Sequence, residues 1–149
     1  MKVTWSWQGF NELSSSQLYE FLRLRQRVFV VEQKCVYLDL DGIDHRCWHG
    51  LGYAPDGELA VYARIIPPLL KFPGPSISRV VTAPEFRRRG IGADMMVRAL
   101  EQTRLLYPGE TIHIAAQAHL EAFYRRLGFT VAGFPYDDDG IRHVDMTTS

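Results

Sequence analysis

At 149 residues the chain has the length of one domain, and its 17 basic and 17 acidic side chains leave a formal net charge of zero, without the positive surplus of a general nucleic-acid binder. No apolar run approaches the roughly 20 residues of a membrane span, and the first residues lack a signal-peptide core, so a single cytoplasmic domain over residues 1–149 is expected. Cys35 and Cys47 form no Cys-x-x-Cys pair; they read as reduced thiols, and no metal site is expected.

Residues 3–7 alternate valine and tryptophan with polar residues, as a first strand does. Ser14 and Gln17 have the spacing of a capping box, and Leu13 with Leu18 can staple it. Leu18, Phe21, Leu22, Arg25, Val28 and Phe29 then recur at three- and four-residue steps, a helix of about four turns. Arginines interleave with that face. Arg23 and Arg27 read as edge residues with their stems on apolar surface; Arg25 and Glu32 read as structural or site residues. Residues 34–46 lack a period and are rich in Asp and Gly, which predicts a loop. Residues 48–53 and 59–66 are two strands of a hairpin, joined by the turn sequence Pro55-Asp56-Gly57-Glu58. Pro67-Pro68 closes the second of them.

The stretch 77–92 reads Ile-Ser-Arg-Val-Val-Thr-Ala-Pro-Glu-Phe-Arg-Arg-Arg-Gly-Ile-Gly. Its first six residues are those of a buried strand. Pro84 breaks it, because proline has no N–H for a ladder. A basic glycine loop follows and runs into a helix expected to start near Ala93. A helix start carries unpaired N–H groups and partial positive charge, so it binds anions. Gly90 and Gly92 have no Cβ, which lets phosphates lie on the main chain. Arg87, Arg88 and Arg89 add fixed charge. Together they predict a diphosphate site. The glycine spacing is neither a Walker loop, which needs Gly-Lys-Ser/Thr, nor a Rossmann fingerprint.

Downstream, Ile91, Met95, Met96, Ala99, Leu100 and Thr103 form a helical stripe, stopped by Tyr107-Pro108-Gly109. Residues 111–116 are a short apolar strand. Residues 120–127 form a short helix with Gly128 as its C-terminal glycine. Strands over 131–135 and 141–146, linked by an acidic turn at 136–140, complete the chain. The sum is a mixed α/β sheet of about six to seven strands with helices on both faces. Its two acidic stretches, Asp39/Asp41/Asp44 and Asp137-Asp138-Asp139, read either as solvated loops or as attractors for a cationic substrate.

Arg87-x-x-Gly90-x-Gly92 after an apolar strand resembles motif A of the Gcn5-related N-acetyltransferase (GNAT) superfamily, and Tyr124-x-x-x-Gly128-Phe129 resembles its motif B. Leu24-Arg25-Gln26-Arg27-Val28-Phe29-Val30-Val31-Glu32-Gln33, followed by Tyr37-Leu38-Asp39-Leu40-Asp41-Gly42, is similar to the ElaA-like branch. It is also similar to the N-terminal part of acyl-homoserine-lactone synthases. The resemblance implies a mostly antiparallel sheet that splays after the fourth strand. It implies acetyl-CoA as co-substrate, held by Val80, Val81, Thr82, Arg87, Arg88, Arg89, Gly90, Ile91, Gly92, Ala93 and Tyr124. Val81 N–H is the expected polariser of the acyl carbonyl and Tyr124 the expected general acid. The general base stays open among Glu32, His45, His49, His119 and Glu121, with Glu32 the one taken as the catalytic candidate. Where the family pattern often has Asn, this chain has Gln117 or His119. The implied reaction is direct acetyl transfer to a primary amine of a small molecule or peptide, with a homodimer as one option and neither membrane nor nucleic acid as partner. The alternatives are a lactone-synthase-like enzyme using a long acyl donor and S-adenosylmethionine, and a non-catalytic module that binds coenzyme A.

Overall fold

The computed structural model describes residues 1–149. Strand β1 spans Thr4–Gly9 and helix α1 spans Ser15–Arg25. The capping box forms: Ser14 Oγ accepts from Gln17 N–H at 3.1 Å, and Gln17 Oε1 accepts from Ser14 N–H at 2.9 Å. The helix does not stop at Arg25. It widens into a π-helical run over Gln26–Glu32, and Gln33 N–H reaches back five residues to Val28 O at 3.1 Å. Such widened turns are frequent at functional sites.

The sheet follows with β2 (Trp48–Tyr53), β3 (Leu59–Ile66), β4 (Ser76–Thr82), helix α2 (Ile91–Leu106), β5 (Ile112–Gln117), helix α3 (Glu121–Arg126), β6 (Thr130–Val131), β7 (Tyr136–Asp138) and β8 (Ile141–Thr148). Strand order is β1-β2-β3-β4-β5-β8, and β6 and β7 both pair with β8. Every pairing is antiparallel except β4–β5, which is parallel and consists of the single pair Ser76↔His113. Beyond that pair the two strands diverge, which is the splay expected after the fourth strand.

Helices cover both faces. Phe21 and Leu24 of α1 and Val28 of the π-helical run pack with Leu51, Tyr62 and Val81 on one face. Met96, Ala99 and Leu100 of α2 pack with Ile65, Ile77, Ile112, Ile114, Val144 and Met146 on the other, where Phe123 and Tyr124 of α3 also lie. Each fully buried side chain of this size contributes roughly 1.5–3 kcal/mol.

The C-terminal hairpin differs from expectation. The strand predicted over 131–135 is absent beyond Val131, and the segment read as an acidic turn holds β7, so the sheet has eight strands. Pro135 lacks the N–H a ladder needs. The turn sits at Asp139-Gly140, both at positive φ (51° and 81°), the two-residue geometry that Asp-Gly favours. Helix α2 also starts earlier than predicted. Gly90 takes a left-handed φ of 77°, so helical turns begin at once from Ile91.

Candidate active site

Residues 87–93 sit where β4 hands over to α2. Arg88 joins Gly90 in left-handed backbone, with φ of 65° and 77°. The first intrahelical bond runs from Asp94 N–H to Gly90 O at 3.1 Å, and no N–H from Arg88 to Ala93 meets an acceptor within the chain. A Cβ at Gly90 would meet nothing within 4 Å, so the space beside that backbone is open. Ile91 is buried and pins the loop to the core. Arg89 lies against the Phe86 ring, 5.4 Å from its centroid. Arg87 is already engaged: its guanidinium grips the Glu32 carboxylate of the π-helical turn at 2.7 and 2.5 Å. Arg27 and Glu85 pair beside it. These two pairs tie the first helical segment to the segment that leads into the glycine loop.

Strand β4 leaves one edge open. Ala83 N–H donates to Ala60 O at 2.8 Å, and the register sets Val81 opposite Tyr62 and Thr82 opposite Val61. Donor direction alternates along an antiparallel strand. Val81 N–H therefore turns toward β3, while Val80 and Thr82 N–H face the gap to β5. A register shift between Tyr62 and Arg64 accompanies Arg79, which holds a φ of 54° in mid-strand. A bulge of this kind re-aims a strand's groups, often at functional sites.

The gap opens into a cavity of about 780 Å³. Its walls include Val28, Phe29 and Gln33 from the π-helical segment, Ser76 to Thr82 from β4, Ala115 and Gln117 from β5, and Tyr124 from α3. The phenol of Tyr124 makes no hydrogen bond within the chain, packs edge-on to Phe123 and Phe129, and is pushed up to about 12 by burial. It keeps its proton at neutral pH.

The acidic loop is not a free anionic patch: Asp39 is buried, Asp44 half-buried and Asp41 partly exposed, and each carboxylate is already paired with an arginine. Arg25 and Arg64 are fully buried. Arg25 binds Asp39 Oδ2 at 2.9 Å and Asp44 Oδ1 at 2.6 Å. Arg64 binds Asp41 Oδ2 and Asp44 Oδ1, both at 2.9 Å. Arg79 closes the cluster on Asp39 Oδ1 at 2.7 Å. Three guanidinium groups thus neutralise three carboxylates. Burial works to raise Asp41, but the hydrogen bonds and charge of Arg64 prevail and hold it at about 2. The cluster gives the segment 34–46 its shape and builds one end of the cavity, where Tyr37, Leu38, Asp41 and Ile43 stand.

The histidine and glutamate candidates scatter. His49 is fully buried, between Tyr62 Oη at 2.6 Å and Asp44 O at 2.8 Å, with its pKa lowered by burial. It braces the loop and does not line the cavity. His45 is exposed and does not line the cavity. Glu121 pairs with Arg125 at 2.8 Å. His119 and Glu32 border a shallower neighbouring hollow with Gln33, Arg87 and Gln117. Arg87 holds Glu32 below the usual carboxylate range, which makes it a weak proton acceptor. Two further polar residues in the cavity wall escaped the sequence reading, Lys71 and His143. Burial, with the fields of Arg79 and Arg64, lowers the Lys71 ammonium.

A glycine loop with free N–H groups adjoins the end of a splayed strand edge, and that edge and Arg87 line a cavity. Residues 49–149 match the acetyltransferase (GNAT) domain family. The chain belongs to the GNAT family. A UPF0039 protein of Synechocystis is 45% identical over 146 residues, covering 98% of this chain and 95% of that one. The crystal structure of an acyl-CoA N-acyltransferase from Pseudomonas aeruginosa superposes with a TM-score of 0.95 at 35% identity, covering 99% of this chain and 100% of that one. Escherichia coli ElaA gives 0.92 at 37% identity, covering 99% of this chain and 100% of that one, so the ElaA-like resemblance holds. The acyl-homoserine-lactone synthase LasI, at 16% identity and a TM-score of 0.78, shares the fold. No helix is long and apolar enough to cross a membrane.

Proposed function

We propose that this GNAT protein transfers an acetyl group from acetyl-CoA to a primary amine of a small molecule or peptide. The observation that carries the reading is the run of unclaimed N–H groups from Arg88 to Ala93, opening beside the free edge of β4. A diphosphate supplies the acceptors those groups lack. The pantetheine arm runs along the open edge of β4. The register favours Val80 over Val81 as the polariser of the carbonyl, since Val80 N–H faces the gap. Donors held on a rigid strand stabilise the charge that develops on the acyl oxygen without reorganising. Tyr124, protonated and without a partner, donates its O–H to the leaving thiolate.

Titration calorimetry with acetyl-CoA and release of free thiol against a panel of amines, polyamines and peptides test this reading. Binding with amine-dependent thiol release is expected. Absence of heat with both acetyl-CoA and coenzyme A would overturn it, and binding without turnover on the whole panel would favour a non-catalytic coenzyme A module.

A further inference from the structure

Side-chain direction alternates along a strand. On β8, Val144 and Met146 are buried in the α2-side core, at 2% and 0% exposure. His143 and Asp145 therefore point to the opposite face, the one that α1 covers. His143 stands in register with Gln117 of β5, and both line the large cavity. Tyr124 reaches the same cavity from the α2 side, where it packs against Phe129. A basic and an acidic group thus approach one space from opposite faces of the sheet, through the gap between β4 and β5.

The ring of His143 is oriented. Its Nδ1 lies 2.8 Å from Ile141 O. A carbonyl oxygen only accepts, so Nδ1 carries the hydrogen, and in the neutral ring Nε2 keeps a lone pair. No group in the chain hydrogen-bonds Nε2. The Tyr136 ring stacks on the imidazole at 5.9 Å and 21°, and Tyr136 Oη is fixed to Asp145 Oδ1 at 2.7 Å. A ring held by a backbone carbonyl on one nitrogen, with no partner in the chain on the other, in a residue that lines a cavity, is an arrangement suited to a proton acceptor. Other titratable groups near this stretch of wall are Tyr136, Asp145, Asp138, Asp139, Cys35 and Tyr124. Both phenols are raised above their ordinary range, chiefly by burial, so neither accepts a proton there.

We propose that His143 is the general base of the acetyl transfer. The proposal deepens the N-acetyltransferase reading and rests on it. As the free amine attacks, its nitrogen forms the N–C bond and gives one proton to His143 Nε2. The C–S bond breaks, and the departing sulfur takes a proton from Tyr124. The imidazolium and the phenolate return to their starting states when solvent carries a proton from one to the other. No other reactant is consumed.

The test compares wild type with His143→Gln on an amine that wild type acetylates. Expected are a fall in kcat of about 10²-fold and unchanged acetyl-CoA binding by calorimetry. The glutamine amide can still donate to Ile141 O. Should it nevertheless disturb folding or acetyl-CoA binding, His143→Ala with added imidazole supplies the check. A rate restored by imidazole supports the base role, and a rate that imidazole leaves unchanged overturns it. In the unliganded protein, ¹⁵N NMR of the ring should show the Nδ1–H tautomer, and an Nε2–H tautomer would overturn the assignment. A wild type that turns over beside an equally active His143→Gln removes this role alone. A wild type that acetylates no amine removes the N-acetyltransferase reading itself.

Discussion

Tyr124 and Glu32 make opposite uses of their surroundings. Tyr124 has no hydrogen-bond partner and a pKa pushed up to about 12 by burial, so it stays protonated and can donate its O–H to the departing sulfur. An ordinary thiolate, whose thiol titrates near about 8.5, is a weaker base than this phenolate, so full proton transfer is uphill and the phenol works mainly by stabilising the sulfur as the C–S bond breaks. Tyr124→Phe should lower kcat by about 10²-fold while the acetyl-CoA Kd stays within about twofold, read by thiol release and calorimetry. Equal kcat in the variant at saturating donor would remove the acid from the mechanism. Glu32 is a carboxylate whose charge is already spent on Arg87. Glu32→Gln should leave kcat within about threefold, which separates it from a base. It should also tighten acetyl-CoA binding by roughly two- to fivefold at low salt, since it releases Arg87 and removes a negative charge near the anion loop. That gain should fade as salt rises. A Glu32→Gln variant with kcat down by about 10²-fold would restore it as the base.

At the level of the element, the turn between β4 and α2 explains what the sequence could and could not show. The strand, the breaker Pro84 and the glycines Gly90 and Gly92 are local signals, so the strand-loop-helix order was readable from spacing. So were the edges of β2 and β3, because the turn at Pro55 to Glu58 fixes both. The direction of Val81 N–H was not readable. It depends on the partner strand and on the bulge at Arg79, and neither is written in residue type. His143 was hidden for the same reason: only the register with Gln117 and the divergence of β4 from β5 put it at a cavity. The Asp139-Gly140 turn was legible as a two-residue hairpin signal but was masked by the run of acids around it. The loop's own conformation yields a prediction. Gly90 sits at φ 77° with nothing near its missing side chain, so Gly90→Ala meets no clash but carries a backbone strain of about 1–2 kcal/mol. Relief of that strain moves the N–H groups of residues 90–93. The acetyl-CoA Kd should rise by about tenfold or more, the cost of one lost charge-assisted hydrogen bond. Calorimetry at fixed salt reads this, and an unchanged Kd would show that the phosphates do not lie there.

Across the whole molecule, the cluster of three arginines and three aspartates joins α1, β3, β4 and the irregular segment 34–46 in one place. That segment has few regular backbone bonds, so its shape rests on charge pairing in a buried setting. Replacing a buried pair entirely by apolar groups is often tolerated, but removing one partner strands the others. Arg64 touches Asp41, Asp44 and the Ser78 hydroxyl, and it is fully buried. Arg64→Met should therefore cost about 3–5 kcal/mol in urea unfolding, far more than loss of an exposed pair such as Arg27–Glu85, worth at most about 1 kcal/mol. The same cluster sets an acid limit. Arg64 holds Asp41 at about 2 and, with Arg25, lowers Asp44, in each case overcoming the upward push of burial. A carboxylate whose folded pKa lies below its unfolded value of about 3.9 stabilises fully above that value. Its contribution is lost as pH falls from about 4 toward 2. Melting temperature should thus be insensitive to these aspartates from pH 7 to 5 and drop steeply below about 4. The Arg64→Met protein should lose part of that steepness, because Asp41 loses its main partner while Arg25 still holds Asp44. Parallel acid denaturation curves for the two proteins would show that the cluster does not govern acid stability.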